Sequence, residues 1–306
     1  MSGSVVVALD VGGTGIKCGL VHPDGRTYHA ERHPTRAERG PDAVTETILD
    51  LAEGLAGRAR ADGLTPLAVG VAVPGVIDEA AGVAVWSANV GFRDVPLRDL
   101  ATARLGLPAA LGHDVRVAGI AEARLGAGRR SRHVLFVAIG TGIAAAHIVD
   151  GVALAGAHGA AGELGHIVVR PTGPRCGCGQ YGCLEAVASA AAVGRRYAEL
   201  TGTPATAAEV ATAAAAGDPL GVQVWQETVE ALADGLLTGQ ALFDPEVVVL
   251  GGGLAEAGKA LLAPLRRALH DRVTFHREPQ LTRAALGDEA GCLGAALLAL
   301  DTLEAR

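Results

Sequence analysis

The sequence predicts an α/β fold built from two similar lobes, on the strength of three observations. A chain of 306 residues is long enough for two units of ordinary domain size. A β-hairpin pattern with a glycine-rich turn occurs twice, about one domain length apart. Strand-like runs also alternate with helix-like stretches, which is typical of a sheet with crossover helices.

The repeated hairpin begins with the apolar run Val5 to Asp10, passes through a glycine-rich turn, and ends at Asp24-Gly25. The same order returns from Val134 to Ile139 and ends at Asp150-Gly151. The tetrapeptide Gly-Thr-Gly-Ile is identical in the two turns. Each copy is typical of two antiparallel strands joined by a tight turn, so the pattern predicts a duplicated lobe.

The remaining elements complete the two lobes. Further strands are predicted at Leu67 to Val73, around Ala109 to Leu111, and at Glu246 to Leu250. Helices are predicted at Asp42 to Asp62, Leu184 to Leu200, Ala207 to Ala216, Gly221 to Phe243, and from about Glu289 onward. We therefore expect a smaller lobe at residues 1–115, joined by a C-terminal helix at about 291–306, and a larger lobe at 116–290.

Composition and charge exclude several classes of function. The net charge of −7 leaves no basic field for nucleic acid or an anionic membrane surface. The longest apolar stretch, Val134 to Val149, falls short of the ~20 residues that span a bilayer. The first residues lack the basic segment of a signal peptide, so we expect a cytoplasmic protein with small-molecule partners.

The first glycine turn has the residues that a phosphate site needs. Glycines admit close approach of an anion to backbone N–H groups. Around them, Asp10 could hold Mg²⁺ through water, Thr14 could bond a phosphate oxygen, and Lys17 could neutralise charge. The alternative is a plain hairpin with Lys17 in solvent. No P-loop is present, and Gly251-Gly252-Gly253 does not complete a dinucleotide motif, which disfavours a dehydrogenase.

Asp114 is the candidate general base. It follows a short apolar strand and precedes a helix-like segment, a junction at which a carboxylate can face a cleft and accept a hydroxyl proton. The alternative is that Asp114 only caps the helix. Spacing alone favours the cap.

Three cysteines and one histidine suggest a metal site. Cys176, Cys178, Cys183 and His166 lie within eighteen residues and can close a tetrahedral Cys₃His zinc site, and the clustering favours metal over disulfides in a reducing compartment. Such a site has no open position and would be structural. Free cysteines in a turn are the alternative. The second nitrogen of His166 could still meet a substrate hydroxyl.

Several motifs together are typical of one family: Asp10-x-Gly12-Gly13-Thr14-x-x-Lys17, Pro74-Gly75-x-x-Asp78, Gly140-Thr141-Gly142, the stretch from Glu163 through Gly165-His166 to Cys176-x-Cys178-Gly179-x-x-Gly182-Cys183-x-Glu185, Gly251-Gly252-Gly253, and Gly291-x-x-Gly294-Ala295-Ala296. On these residues the chain resembles the ROK family of bacterial sugar kinases over almost its whole length.

The resemblance implies two actin-like (ribonuclease H-like) lobes with a cleft between them, a zinc-binding loop in the larger lobe, and ATP-dependent phosphorylation of a hexose. It makes Asp114 the base and implies a homodimer or homotetramer. The implied sugar-lining residues are Asn89, Asp114, Glu163, His166 and Glu185, and His113, beside the base, is a further candidate for sugar binding. The implied residues for ATP and Mg²⁺ are Asp10, Gly12, Gly13, Thr14, Lys17, Gly140, Thr141, Gly142, Gly252 and Gly253, and for Zn²⁺ they are His166, Cys176, Cys178 and Cys183.

One departure from the family pattern affects the choice of sugar. The family's base normally sits in an Asn-Asp-x-Asn context, but this chain has His113 and Arg116 at the two asparagine positions. A polar site built for one hydroxyl pattern rejects analogues strongly. Glucose is therefore the first expectation, and N-acetylmannosamine, N-acetylglucosamine, fructose and allose stay open. A sugar-binding or regulatory protein without kinase activity is the alternative from another class.

Overall fold

Contacts divide the chain into two units, in a computed structural model that describes residues 3 to 304. Unit 1 runs up to Leu125 and also takes in Ala153–Ala161 and the chain from Asp288 onward. Unit 2 consists of Gly126–Val152 and Gly162–Gly287. Among the described residues, no helix combines the length and the apolarity that crossing a membrane requires.

Strands and helices alternate along much of the chain. The strands are β1 (Ser4–Val11), β2 (Gly15–Val21), β3 (Thr27–Pro34), β4 (Thr65–Val73), β5 (Val76–Asp78), β6 (Val83–Trp86), β7 (Arg93–Val95), β8 (Ala109–His113), β9 (His133–Ile139), β10 (Ile143–Val149), β11 (Val152–Ala153), β12 (Val247–Gly251) and β13 (Gln280–Arg283). The helices are α1 (Pro41–Ala61), α2 (Leu97–Leu105), α3 (Asp114–Arg124), α4 (Leu184–Ala188), α5 (Ala190–Thr201), α6 (Ala207–Ala215), α7 (Pro219–Phe243), α8 (Lys259–His270) and α9 (Ala290–Glu304).

Unit 1 is built on a mixed sheet with the strand order β3-β2-β1-β4-β8. Strands β1, β2 and β3 are antiparallel neighbours, whereas β1, β4 and β8 run parallel. Side chains alternate between the two faces of a strand. Val5, Val7 and Leu9 accordingly pack in one core with α1, and the opposite face approaches α9 so closely that a methyl group on Gly70 would lie 2.0 Å from the Ala295 carbonyl oxygen.

Unit 2 repeats this arrangement with the strand order β11-β10-β9-β12-β13. Strand β10 is antiparallel to β9, and β9, β12 and β13 run parallel, as β2, β1, β4 and β8 do in unit 1. The core of this unit joins the sheet to the long helix α7. Both predicted hairpins are therefore present, and the α/β class with mixed sheets is confirmed.

Two details differ from the sequence prediction. The helix predicted at Leu184 to Leu200 is broken at Ser189, whose hydroxyl oxygen accepts a hydrogen bond from the Ala192 N–H (3.1 Å) and starts a new helix. The first N–H of the new helix, that of Ala190, donates a hydrogen bond to the Gly140 carbonyl oxygen (2.8 Å). Contacts also place α3 in unit 1, beyond the predicted boundary at 115/116, because α3 packs on α9.

Substituting a glycine in that helix contact tests the packing. A methyl group on Gly294 of α9 would lie 1.9 Å from the Val117 carbonyl oxygen of α3, so Gly294→Ala forces the helices apart and is expected to cost about 3 kcal/mol or more. Gly57 on α1 has nothing within 4 Å of the added carbon, so Gly57→Ala should stabilise by roughly 0.5–1 kcal/mol. Urea unfolding midpoints measure both, and equal midpoints would contradict the packing.

Candidate functional site

Asp10 lies near the end of the central strand β1 and is largely buried, with 18% of its side chain exposed. Burial, followed by the negative charge of Asp114, raises the pKa of Asp10 to about 6. The Lys17 ammonium, 4.0 Å from the carboxylate, opposes this shift in part. A buried carboxylate favours a cationic partner, so the buried position of Asp10 suits the predicted water-mediated contact to Mg²⁺.

Lys17 has a second acidic partner that the sequence analysis missed. Its ammonium lies 3.1 Å from Asp288 Oδ1, and this hydrogen bond is the main cause of the lowered pKa of Asp288. Asp288 precedes α9, whose first turn packs on Asp10 so closely that a methyl group on Gly291 would lie 2.3 Å from Asp10 Cγ. The structure gives this glycine a packing role beside Asp10.

The first glycine turn is tightly held. The Gly12 N–H donates to the Gly15 carbonyl oxygen (2.8 Å). Buried Thr35, directly after β3, holds the turn in place, because its hydroxyl donates to the Gly12 carbonyl oxygen (2.6 Å) and its N–H donates to the Thr14 carbonyl oxygen (3.2 Å). A methyl group on Gly13 would lie 3.1 Å from Asn89 Cβ, so a predicted phosphate residue and a predicted sugar residue are neighbours.

Asp114 opens helix α3 directly after β8. The capping residue is His113, whose Nδ1 accepts a long hydrogen bond from the Arg116 N–H (3.4 Å), while Asp114 Oδ1 accepts one from the Val115 N–H (2.7 Å). Burial raises the pKa of Asp114 to about 6, although the Val115 hydrogen bond and the Arg116 charge lower it in part. A carboxylate that changes protonation near neutral pH suits a general base.

Arg116 joins three segments of unit 1 around Asp114. Its side chain is 2% exposed, with Nε donating to Glu79 Oε1 (2.8 Å) and Nη1 donating to the Gly159 carbonyl oxygen (2.9 Å). The same Glu79 oxygen accepts the His113 N–H (3.2 Å). Within the described residues, the buried Nη2 has no hydrogen-bond partner. Glu79 and Gly159 were not predicted, although Glu79 directly follows the Pro74-Gly75-x-x-Asp78 motif.

The second glycine turn, in unit 2, is held by Glu185. The Gly140 N–H donates to the Gly142 carbonyl oxygen (2.9 Å), and Glu185 Oε2 accepts the Ile143 N–H (3.0 Å). A methyl group on Gly142 would lie 2.5 Å from that same oxygen. Gly252 approaches the turn as well, because its added methyl would lie 2.5 Å from the Ile139 carbonyl oxygen. Three separate predicted motifs of unit 2 therefore meet at this turn.

The predicted zinc ligands lie together. The ligand atoms of the four residues all fall within 4.8 Å of one another. Cys178 Sγ lies 3.7 Å from Cys183 Sγ, and Cys176 Sγ lies 3.6 Å from His166 Nδ1. Zn–S bonds of about 2.3 Å at tetrahedral angles put sulfurs ~3.8 Å apart, so this donor set fits Zn²⁺.

The two ring nitrogens of His166 face different residues. Nδ1 faces the cysteines, whereas Nε2 lies 3.7 Å from Glu163 Oε2. Glu185 lies on the other side, with Oε1 4.0 Å from Cys176 Sγ. This arrangement allows a metal at Nδ1 and a substrate hydroxyl at Nε2, so metal binding and sugar binding would be coupled through one ring.

The predicted residues thus form one group in each unit. The group in unit 1 comprises Asp10, Gly12, Gly13, Thr14, Lys17, Asn89, His113 and Asp114. The group in unit 2 comprises Gly140, Thr141, Gly142, Glu163, His166, Cys176, Cys178, Cys183, Glu185, Gly252 and Gly253.

Comparison with known proteins identifies the family. The model of the ROK family matches residues 6–302. The chain belongs to the ROK family. It is 35% identical to a glucokinase of Thermotoga maritima, over 95% of this chain and 96% of the relative. It is also 35% identical to an N-acetylmannosamine kinase of Citrobacter koseri, over 96% and 98% of the two chains.

A solved structure of the family has the same fold. The ROK family glucokinase of Streptomyces griseus, solved in complex with glucose and AMPPNP, has a TM-score of 0.81 and 30% identity, with 97% of this chain and 99% of that chain covered. The predicted ROK membership is therefore confirmed over nearly the whole chain. The roles of single residues stay predictions.

The zinc knot, defined as His166, Cys176, Cys178 and Cys183, gives a testable prediction. Cys183→Ser removes a fully buried ligand, so the protein should hold one Zn²⁺ fewer per chain and bind sugar about tenfold or more weakly while it still unfolds cooperatively. Metal analysis, sugar titration and chemical unfolding measure these three properties. Cys292→Ser, which alters a buried cysteine outside the knot, should retain the ion. Unchanged sugar affinity in zinc-free folded protein would contradict the coupling.

Arg116 gives a pH prediction. Activity should fall with decreasing pH through about 6 as Asp114 gains its proton, with Asp10 titrating in the same range. The Arg116 charge lowers the pKa of Asp114, so Arg116→Gln should move this limb of the kcat/KM profile to higher pH and raise KM as the Gly159 contact is lost.

The controls separate charge from folding. Arg124→Gln, which removes another α3 arginine that pairs with a carboxylate, should leave the profile in place. The double variant Glu79→Gln/Arg116→Gln avoids leaving Glu79 unpaired and keeps the test valid if the single variant folds poorly. An unshifted limb in both Arg116 variants would exclude this role for the arginine.

Proposed function

We propose that this chain is an ATP-dependent sugar kinase that transfers the γ-phosphoryl group of ATP to a hexose hydroxyl, with glucose as the first candidate acceptor. The observation that carries the proposal is Asp114, a mostly buried carboxylate with a pKa of about 6 at the position where the sequence resembles the motif of the family's base. The similarity of the whole chain to glucokinases, one of them solved with glucose and an ATP analogue, supports it.

In the proposed reaction, Asp114 accepts the proton of the attacking hydroxyl while the new oxygen–phosphorus bond forms and the bond between the γ-phosphorus and ADP breaks. The Gly12–Thr14 turn and Lys17 would bind phosphate oxygens, and Asp10 would hold Mg²⁺ through water. Bound Mg²⁺ supplies charge neutralisation on the phosphates. Glu79, Arg116 and His113 keep Asp114 in position, since each is bonded to the segment around it.

The zinc knot would have a structural part in this reaction. Four protein ligands complete the coordination of Zn²⁺ and leave no position for a substrate. The ion would order the segment from Glu163 to Glu185, which carries three proposed sugar-binding side chains. Its contribution is therefore to sugar binding and not to proton or phosphoryl transfer.

N-acetylmannosamine is the second candidate acceptor, because the chain is as similar to an N-acetylmannosamine kinase as to a glucokinase in percentage identity. His113 is the residue that bears on this choice. An imidazole is larger than the asparagine amide at this position of the family pattern and offers a different set of hydrogen bonds. Homo-oligomeric assembly and a cytoplasmic location stay predictions from the sequence and the family.

The test is ADP release with Mg²⁺-ATP across a panel of hexoses and N-acetylated amino sugars. We expect one sugar to be turned over well and Asp114→Asn to lower kcat about 10²–10⁴-fold while sugar binding persists. His113→Asn should change the ranking of the sugars, and its matched control His158→Asn should not, because that histidine has no predicted role.

The outcomes separate the alternatives. Full activity in Asp114→Asn would exclude Asp114 as the base. If no sugar is phosphorylated although a sugar binds and the knot is loaded, the protein is a sugar-binding or regulatory member of the family, and the kinase proposal is overturned.

A further inference from the structure

A second cluster of metal-ligating side chains lies in unit 1, separate in sequence from the zinc knot. Cys18 Sγ, a carboxylate oxygen of Glu31 and a ring nitrogen of His33 all lie within 4.8 Å of one another. We propose that these three side chains bind a Zn²⁺-like transition-metal ion and leave one coordination position for water. The proposal does not depend on the proposed kinase activity.

The backbone of the sheet brings the three ligands together. Cys18 on β2 stands directly opposite Glu31 on the edge strand β3. His33 is two residues farther along β3, so its side chain projects from the same face as that of Glu31. Two ligands lie on β3 and the third lies opposite them on β2. The register of this strand pair therefore fixes their relative positions, which flexible surface side chains alone would not do.

The ligand set selects the class of metal. Thiolate, imidazole and carboxylate together are ligands for Zn²⁺ and similar ions, whereas Mg²⁺ and Ca²⁺ take oxygen ligands. Glu31 Oε2 and His33 Nε2 are already 2.9 Å apart, close to the ~3.3 Å that two bonds of about 2 Å at tetrahedral angles require. Three protein ligands fall one short of a closed structural site, so a fourth position is open to water.

An ion can reach this cluster from the edge of the sheet. Cys18 is 2% exposed, but the side chains of Glu31 and His33 are 27% and 36% exposed. Arg58 pairs with Glu31 and would compete with a cation, but its side chain is 44% exposed and can turn into solvent. Exposed ion pairs of this kind contribute little stability, so a metal displaces Arg58 at small cost.

Binding at Cys18 exchanges a proton for the metal. When the ion binds, the S–H proton leaves to solvent, a metal–sulfur bond forms, and neither partner is oxidised or reduced. Burial of the sulfur on the core side also keeps that bond away from competing water.

The site lies on the two strands that hold the first glycine turn. Strand β2 begins at Gly15, where the turn ends, and Thr35, which clamps the turn, is two residues beyond His33. An ion that links β2 to β3 would therefore stabilise both strands that adjoin the first glycine turn. Because it binds the folded pairing of the strands, it should also raise the resistance of the protein to unfolding.

The experiment is a titration of the full chain, with the knot already loaded, using Zn²⁺ for stoichiometry and Co²⁺ as an optical probe of thiolate ligation. We expect one ion per chain beyond the knot, with thiolate-to-cobalt absorption and a rise in melting temperature. Cys18→Ser and His33→Asn should each weaken this second site tenfold or more. His29→Asn is the matched control, because His29 lies on the same strand but pairs with Asp62.

Each outcome decides the proposal. Cys183→Ser should lose the knot ion and keep the second one, which separates the two sites. His33→Asn changes a partly exposed residue, so it remains a valid test if Cys18→Ser folds poorly. The proposal is overturned if the wild-type chain takes up only the knot ion, or if folded Cys18→Ser and His33→Asn bind the second ion as the wild type does.

Discussion

The burial of two carboxylates, Asp10 and Asp114, is the constraint on which the rest of the site depends. Both have a pKa raised from 3.8 to about 6, mainly because folding removes them from water. A carboxyl group whose pKa rises on folding favours the folded state at low pH and loses that contribution as pH rises through the folded pKa. At neutral pH each group therefore costs on the order of 3 kcal/mol. The protein tolerates this cost at two residues that the proposed chemistry needs.

The sheet of unit 1 explains how residues about a hundred positions apart come to share this environment. Asp10 lies near the carboxyl end of β1, and Asp114 follows the end of β8. Strands β1, β4 and β8 are parallel neighbours, so their carboxyl ends meet at one edge of the sheet. Ligand sites in α/β proteins commonly lie at this edge. Helix α9 then covers the carboxylate of Asp10, because the glycine at position 291 lets the helix backbone approach this carboxylate closely.

The parts of the site that could be predicted from the sequence are those made by neighbours along the chain. The two glycine turns, the hairpins around them and the cluster of the four candidate zinc ligands are each formed within about twenty residues, so spacing and residue type were sufficient. The break at Ser189 was missed because the alanine-rich stretch continues the helical pattern through it, and the break is held by the Ser189 cap together with a tertiary contact between Ala190 and Gly140. Thr35, Glu79 and Asp288 were missed for the same reason, since each acts on a segment that is far away in sequence.

The departure from the family pattern at Arg116 is coupled to Glu79. A buried guanidinium is stable only with a partner, and Glu79 provides it. The same carboxylate holds the His113 backbone N–H, and the His113 ring caps the helix through the Arg116 backbone N–H. Asparagine at position 116 alone would leave Glu79 without its cation, whereas asparagine at position 113 would still offer a capping side chain, because it is among the best N-cap residues. Arg116 therefore stabilises the segment around Asp114, so position 116 can take the family's asparagine only if Glu79 changes with it, whereas position 113 can change alone.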